Sequence, residues 1–135
     1  MNITYLTTAV QRAAQKLGYR FMAGERDYLP ARVATLPAAY LLPPEFRSME
    51  GRKGGKITYR LTLCLMAKGW NAPPEERVVQ LERLENNALE IFSRLSNEGR
   101  VLAVEELSFA LTPKSLTTRG DIALTATANV LVVSE

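Results

Sequence analysis

Four basic residues and three glycines fall within the twelve positions Glu-Phe-Arg-Ser-Met-Glu-Gly-Arg-Lys-Gly-Gly-Lys, from Glu45 to Lys56. Glycines beside a lysine suggest a phosphate cradle, in which backbone N–H groups wrap the anion ahead of a helix. Such a cradle needs Gly, four residues, then Gly-Lys-Ser/Thr. Gly51-Arg52-Lys53-Gly54-Gly55-Lys56-Ile57 has the wrong spacing, no hydroxyl after the lysine, and leads into a strand pattern. No nucleotide site is expected here. The segment reads instead as a mobile, positively charged loop over about residues 45–56. Its plainest account is a solvated hairpin tip that needs glycine to turn. Beyond that, Arg47, Arg52, Lys53 and Lys56 are candidate contacts, for an acidic protein surface first and nucleic-acid phosphates second.

The other reactive residue types are sparse. The chain has no histidine, which excludes Ser-His-Asp and Cys-His arrangements and removes the side chain that titrates nearest neutral pH. Cys64 is the single cysteine, so neither an internal disulfide nor a zinc site of the usual ligands is expected. Within a strand pattern it behaves as a small apolar side chain. Glu82, Glu85 and Glu90 recur at helical spacing with Arg83 and Arg94 beside them, and read as a wet helix face rather than paired catalytic carboxylates. Glu105 and Glu106 add no metal-binding logic. Arg119-Gly120-Asp121 spells an adhesion tripeptide but reads as a turn. Trp70, between Gly69 and the pair Pro73-Pro74, suits either the edge of a core or a subunit interface, where tryptophan is enriched. No catalytic, metal-binding or cofactor-binding residue emerges, and the expectation is a protein that is not an enzyme.

The composition suits a single globular domain of residues 1–135, with 47% hydrophobic and 23% charged residues. Seventeen basic against 14 acidic residues leave +3, less than the footprint usual for nucleic-acid binders. No apolar run approaches the ~20 residues that span a bilayer, and Met1-Asn2-Ile3-Thr4-Tyr5-Leu6 lacks a signal-peptide pattern. A cytoplasmic protein is expected.

Hydrophobic periodicity supplies the elements. Leu6, Val10, Ala13 and Leu17 make a helical stripe from about Ile3 to Leu17, with Gly18 as its C-terminal cap. Tyr19 to Leu29 reads as irregular. A first strand at Ala38–Leu42, beginning as early as Val33, is placed at a sheet edge because prolines 37, 43 and 44 surround it. Ile57, Tyr59, Leu61, Leu63 and Leu65 alternate with Thr58, Arg60, Thr62, Cys64 and Met66, the clearest strand in the chain. Pro74 to Leu95 predicts a long helix whose stripe includes Val78, Leu81, Leu84, Ala88, Leu89, Ile91, Phe92 and Leu95. Val101–Leu111 and Ile122–Val133 close the chain as two strands, the last with Thr125, Thr127 and Asn129 on a polar face. The expected fold is α+β: a four-stranded antiparallel sheet of two hairpins, with the long central helix and the N-terminal helix packed on one face.

This order of elements resembles the phage tail terminator and tail-completion (minor tail) proteins. The Leu6-Val10-Ala13-Leu17 helix, the Arg47–Lys56 loop, the Pro74–Leu95 helix and the Ile122–Val133 strand carry the resemblance. It implies a structural phage or prophage protein forming a ring of identical subunits, six in number, at the tail end. Such a protein passes through the host cytoplasm to the virion tail, and its partners are other copies and other tail or head-completion proteins. The resemblance assigns partner contacts to Arg47, Arg52, Lys53 and Lys56. For ring closure, the edge strand Ala38–Leu42 and the threonine-rich last strand are the expected patches. The alternative is a small nucleic-acid- or ligand-binding α+β module that uses the basic segment 47–56.

Overall fold

The computed structural model describes residues 2–51 and 55–133 of the 135. The chain is α+β, with helices α1 (Asn2–Lys16), α2 (Leu29–Arg32) and α3 (Pro74–Ser96) and strands β1 (Arg20–Ala23), β2 (Ala38–Leu41), β3 (Glu45–Glu50), β4 (Lys56–Lys68), β5 (Val101–Leu111) and β6 (Asp121–Val133). The described strands form one mixed six-stranded sheet ordered β1-β2-β4-β6-β5, with β3 pairing β4 beside β2.

Helix α1 ends as its sequence dictates. Gly18 adopts φ +89°, its N–H reaches Gln15 O, and the Tyr19 N–H reaches Ala14 O. That is the paired closure of a Schellman cap, in which glycine avoids the penalty of a left-handed residue. Leu6, Val10 and Ala13 are buried together with Ala9 and Ala14. In α3, Leu84, Ala88, Ile91, Phe92 and Leu95 are buried, and Glu75 and Glu76 occupy the positive end of its dipole. Val78 and Leu89, expected in this stripe, are 53% and 46% exposed. Both helices lie against one sheet face, over Leu61, Leu63, Leu65, Leu124, Ala126, Ala128 and Val130. Each fully buried leucine contributes about 1.5–3 kcal/mol. The alanines at 126 and 128 leave room for α3 to approach.

A second, smaller core forms on the opposite face. Leu29 and Val33 from the β1–β2 crossover cover Tyr40, Cys64, Met66 and Ala123 there. This explains why β4 is apolar on both sides only toward its C-terminal end. Beyond that cover the same face carries half-buried Thr62, Thr125, Thr127 and Asn129, so the polar side expected of the last strand is present.

The sheet is larger than the four antiparallel strands expected, for two reasons. Arg20–Ala23, read as irregular, pairs in parallel with Ala38–Leu41. That places β2 between β1 and β4, with all four of its residues buried, so the expected edge strand lies inside the sheet. Its prolines flank the strand and remove no ladder N–H from it. Glu45–Glu50, read as loop, forms strand β3 antiparallel to the first half of β4. Strands β2 and β3 thus follow one flank of β4, separated at Pro43-Pro44 where the ladder lacks donors.

Candidate assembly surface

Most of the described residues of the basic segment are strand rather than loop, in β3 (Glu45–Glu50) and at the start of β4 (Lys56). Hairpin β3–β4 forms an arm at the sheet edge whose outer strand alone lies in water: all six residues of β3 are exposed, whereas β4 is paired with β6 on its other side and enters the core by Tyr59 and Leu61. At the tip Gly51 takes φ +80°, a conformation favouring glycine. Arg47 is exposed in β3 at a register shift, since Phe46 pairs with Tyr59 and Ser48 with Thr58. The shift leaves Arg47 as the extra residue of a bulge, a device that re-aims a side chain. Lys56 stands opposite Glu50 in the ladder, and their charged groups approach to 3.8 Å. An exposed pair of this kind is worth at most about 1 kcal/mol, but it offsets the local positive charge. Arg52 and Lys53 lie outside the described residues.

The arm also presents what sequence reading missed. Phe46 is 61% and Met49 58% exposed, on a strand that otherwise shows charge. Opposite them in the ladder stand Tyr59 and Ile57, one buried and one half-buried. The apolar face of β4, which packs on the main core at Ile57 and Tyr59, is therefore continued by exposed apolar residues on β3. The signal was present as two large apolar residues, but the exposure of β3 on both faces removes the alternation that would announce a strand.

Trp70 belongs elsewhere. It follows the C-terminal end of β4, whereas the arm includes its N-terminal end. Twelve residue steps separate Lys56 from Lys68, roughly 40 Å of strand. The indole is half-buried against the main core, its backbone N–H donates to Gly120 O at 3.1 Å, and the Arg77 guanidinium lies 4.9 Å from its ring centre. Of the two roles open to it, the core edge accounts for these contacts.

Gly120 accepts both that bond and one from the Gly69 N–H, and Asp121 beside it is fully buried. The Asp121 carboxylate accepts from the Leu116 and Thr117 backbone N–H groups and from the Thr117 hydroxyl, organising the β5–β6 connection. With its acid enclosed and Gly120 at φ +73°, Arg119-Gly120-Asp121 is a turn rather than a recognition tripeptide. Cys64 is buried beside Thr125, with Sγ 3.8 Å from the hydroxyl, and burial pushes its thiol pKa up. It is a poor nucleophile in this setting. Among the described residues no three His, Cys, Asp or Glu side chains gather as metal ligands, and no helix is long and apolar enough to cross a membrane.

At the end of the sheet away from the arm, a cleft of about 320 Å³ opens between the C-terminus of α1, the start of β2 and the first half of α3. Tyr19 and Asn87 line it, with the Asn87 amide donating to the Tyr19 hydroxyl at 2.7 Å. Burial raises the Tyr19 pKa, while the bond from Asn87 and the charge of Arg83 oppose the shift.

The chain matches no protein-family model and no curated protein.

Proposed function

We propose that the chain is a structural phage or prophage tail protein of the terminator or completion type, acting by assembly into a ring rather than by catalysis. The observation that carries this reading is the β3–β4 arm, which holds Phe46 and Met49 in water beside a strand whose next residues enter the core. Exposing such a strand invites association, since its outer backbone groups and apolar side chains both seek partners. A ring needs two different patches on each subunit. The arm supplies one. Strand β5, on the opposite flank of the sheet, supplies the other, with Leu102 55% and Leu111 56% exposed.

Strand β5 is an irregular partner. Its register shifts between Val101 and Ala103 and again between Glu105 and Ser108, and Glu106 takes φ +56°. Bulges of this kind oppose indiscriminate edge pairing and restrict contact to a matching neighbour. This replaces the β2 edge as the second patch, because β2 is interior. Six subunits, a position at the tail end, and passage from the host cytoplasm to the virion belong to the same proposal. Light scattering after size exclusion tests it: a discrete oligomer that dissolves when the arm loses its apolar residues supports it.

A further inference from the structure

We propose that the cleft between α1, β2 and α3 is a binding site for a carboxylate carried on a short apolar stem. Its floor is apolar, made by Leu17, Leu36, Pro37, Ala67 and Leu84. Its charged groups are of one sign, beside the neutral polar side chains of Tyr19, Gln80 and Asn87. Lys68 and Arg83 bring two positive charges to the rim, and among the described residues no acidic side chain lines the cleft. Among the described residues neither cation has a hydrogen-bond or ion-pair partner. Glu75 and Glu76 lie in the adjoining recess, along α3 from Gln80 and Arg83.

Tyr19 completes the donor set. Tyr19 is 5% exposed and follows directly on the Schellman cap, so its position is fixed by α1 rather than by a ligand. The hydroxyl accepts from Asn87, and its own hydrogen has no acceptor among the described residues. An O–H, a guanidinium and an ammonium are thus available around one small space, which asks for an anion. The apolar floor excludes a bare, strongly hydrated anion as the best occupant, because it would lose water without gaining contacts there. A group that places a carboxylate among the donors and an aliphatic stem over Leu36 and Leu84 satisfies both. The volume lies at the small end of ligand sites, which suits a compact monoanion. Two sources share this chemistry: a free aliphatic acid and the C-terminal carboxylate of a peptide ending in an apolar residue.

Calorimetry with hexanoate and with N-acetyl-leucine tests the site, using hexanol and N-acetyl-leucinamide as neutral counterparts. We expect saturable binding of at least one carboxylate, with its neutral counterpart weaker by about tenfold or more, the scale of a charge-assisted hydrogen bond. Whichever carboxylate binds more tightly identifies the source. Arg83→Gln should weaken binding by about tenfold and Tyr19→Phe by about threefold, each with a melting profile that verifies folding. No saturable binding of either carboxylate would overturn the site, as would equal binding of acid and neutral probe, or wild-type affinity in a folded Lys68→Gln/Arg83→Gln double variant. The site does not depend on ring formation, so calorimetry and mass measurement fail independently.

Discussion

Phe46 meets Tyr59 edge-on, with ring centroids 6.2 Å apart and planes at 83°, yet Phe46 is 61% exposed and Tyr59 only 8%. The pair marks the boundary between the core strand β4 and the exposed edge strand β3. Tyr59 belongs to the main core under the helices, while Phe46 lies against Tyr59 and faces water. An edge-to-face pair contributes about 0.5–1.5 kcal/mol beyond area burial, enough to set the ring's direction but not to bury it. The contact thereby fixes the direction of the Phe46 ring on β3.

Trp70 is expected to act on stability and not on assembly. Trp70→Ala removes a half-buried indole and its contact with Arg77, at a cost of about 2–4 kcal/mol. Urea unfolding should show that loss while the molar mass of the folded protein stays unchanged. A folded variant with altered mass would place Trp70 in an interface after all.

Asp121→Asn should loosen the β5–β6 connection. The carboxylate accepts three hydrogen bonds from Leu116 and Thr117, and an amide replaces one acceptor oxygen with a donor facing donors. The expected cost is about 2–4 kcal/mol, with faster amide exchange at Leu116 and Thr117. Unchanged exchange at both amides would contradict the assignment.

Stability should fall in alkali. Burial raises the pKa of Cys64 above its ordinary 9.0 and of Tyr19 above its ordinary 10.0. In the unfolded chain each group ionises at its ordinary value, whereas in the fold it stays protonated to higher pH. Their contribution is therefore complete below about pH 9 and is lost as pH rises, by up to about 1.4 kcal/mol per pH unit for each group. Urea midpoints at pH 7, 9, 10 and 10.5 measure this. Cys64→Ala should flatten the decline between pH 9 and 10, leaving the later Tyr19 component.

Elements whose environment differs between their two sides were legible in the sequence. Helix α1 and strand β4 announce themselves because burial on one side forces apolar residues to their periodic spacing, as at Leu6, Val10 and Ala13 or at Leu61, Leu63 and Leu65. Strand β3 lacks that contrast. Glu45, Arg47 and Glu50 are exposed like Phe46 and Met49, and a strand in water on both faces has the composition of a loop. Strand β1 is four residues long and owes its pairing to β2, a parallel contact that no local pattern encodes. Prolines 37, 43 and 44 pointed to an edge because proline opposes ladder bonds, but they bracket β2 without entering it. The stripe of α3 was legible as a whole, while Leu89 shows that a position at the right spacing can still lie beyond the sheet's reach. On the candidate surface, Arg47 and Lys56 stand out in the sequence by their charge, whereas Phe46 and Met49 become visible only once β3 is placed. The cleft joins Tyr19, Leu36, Lys68 and Arg83 from four separate stretches, a convergence that only the fold produces.

The central claim is that the arm joins copies of this chain. The most direct test is light scattering after size exclusion on the unaltered protein and on Phe46→Ser/Met49→Ser, across concentration and at two salt levels. Both positions are exposed, and the change removes the Phe46–Tyr59 contact, so the double variant should lose no more than about 2 kcal/mol and stay folded. The account predicts a discrete multiple of 15.0 kDa for the parent, approached with rising concentration and little affected by salt, and a 15.0 kDa monomer for the variant. A parent that stays at 15.0 kDa at every concentration, or a variant that assembles as the parent does, would contradict it.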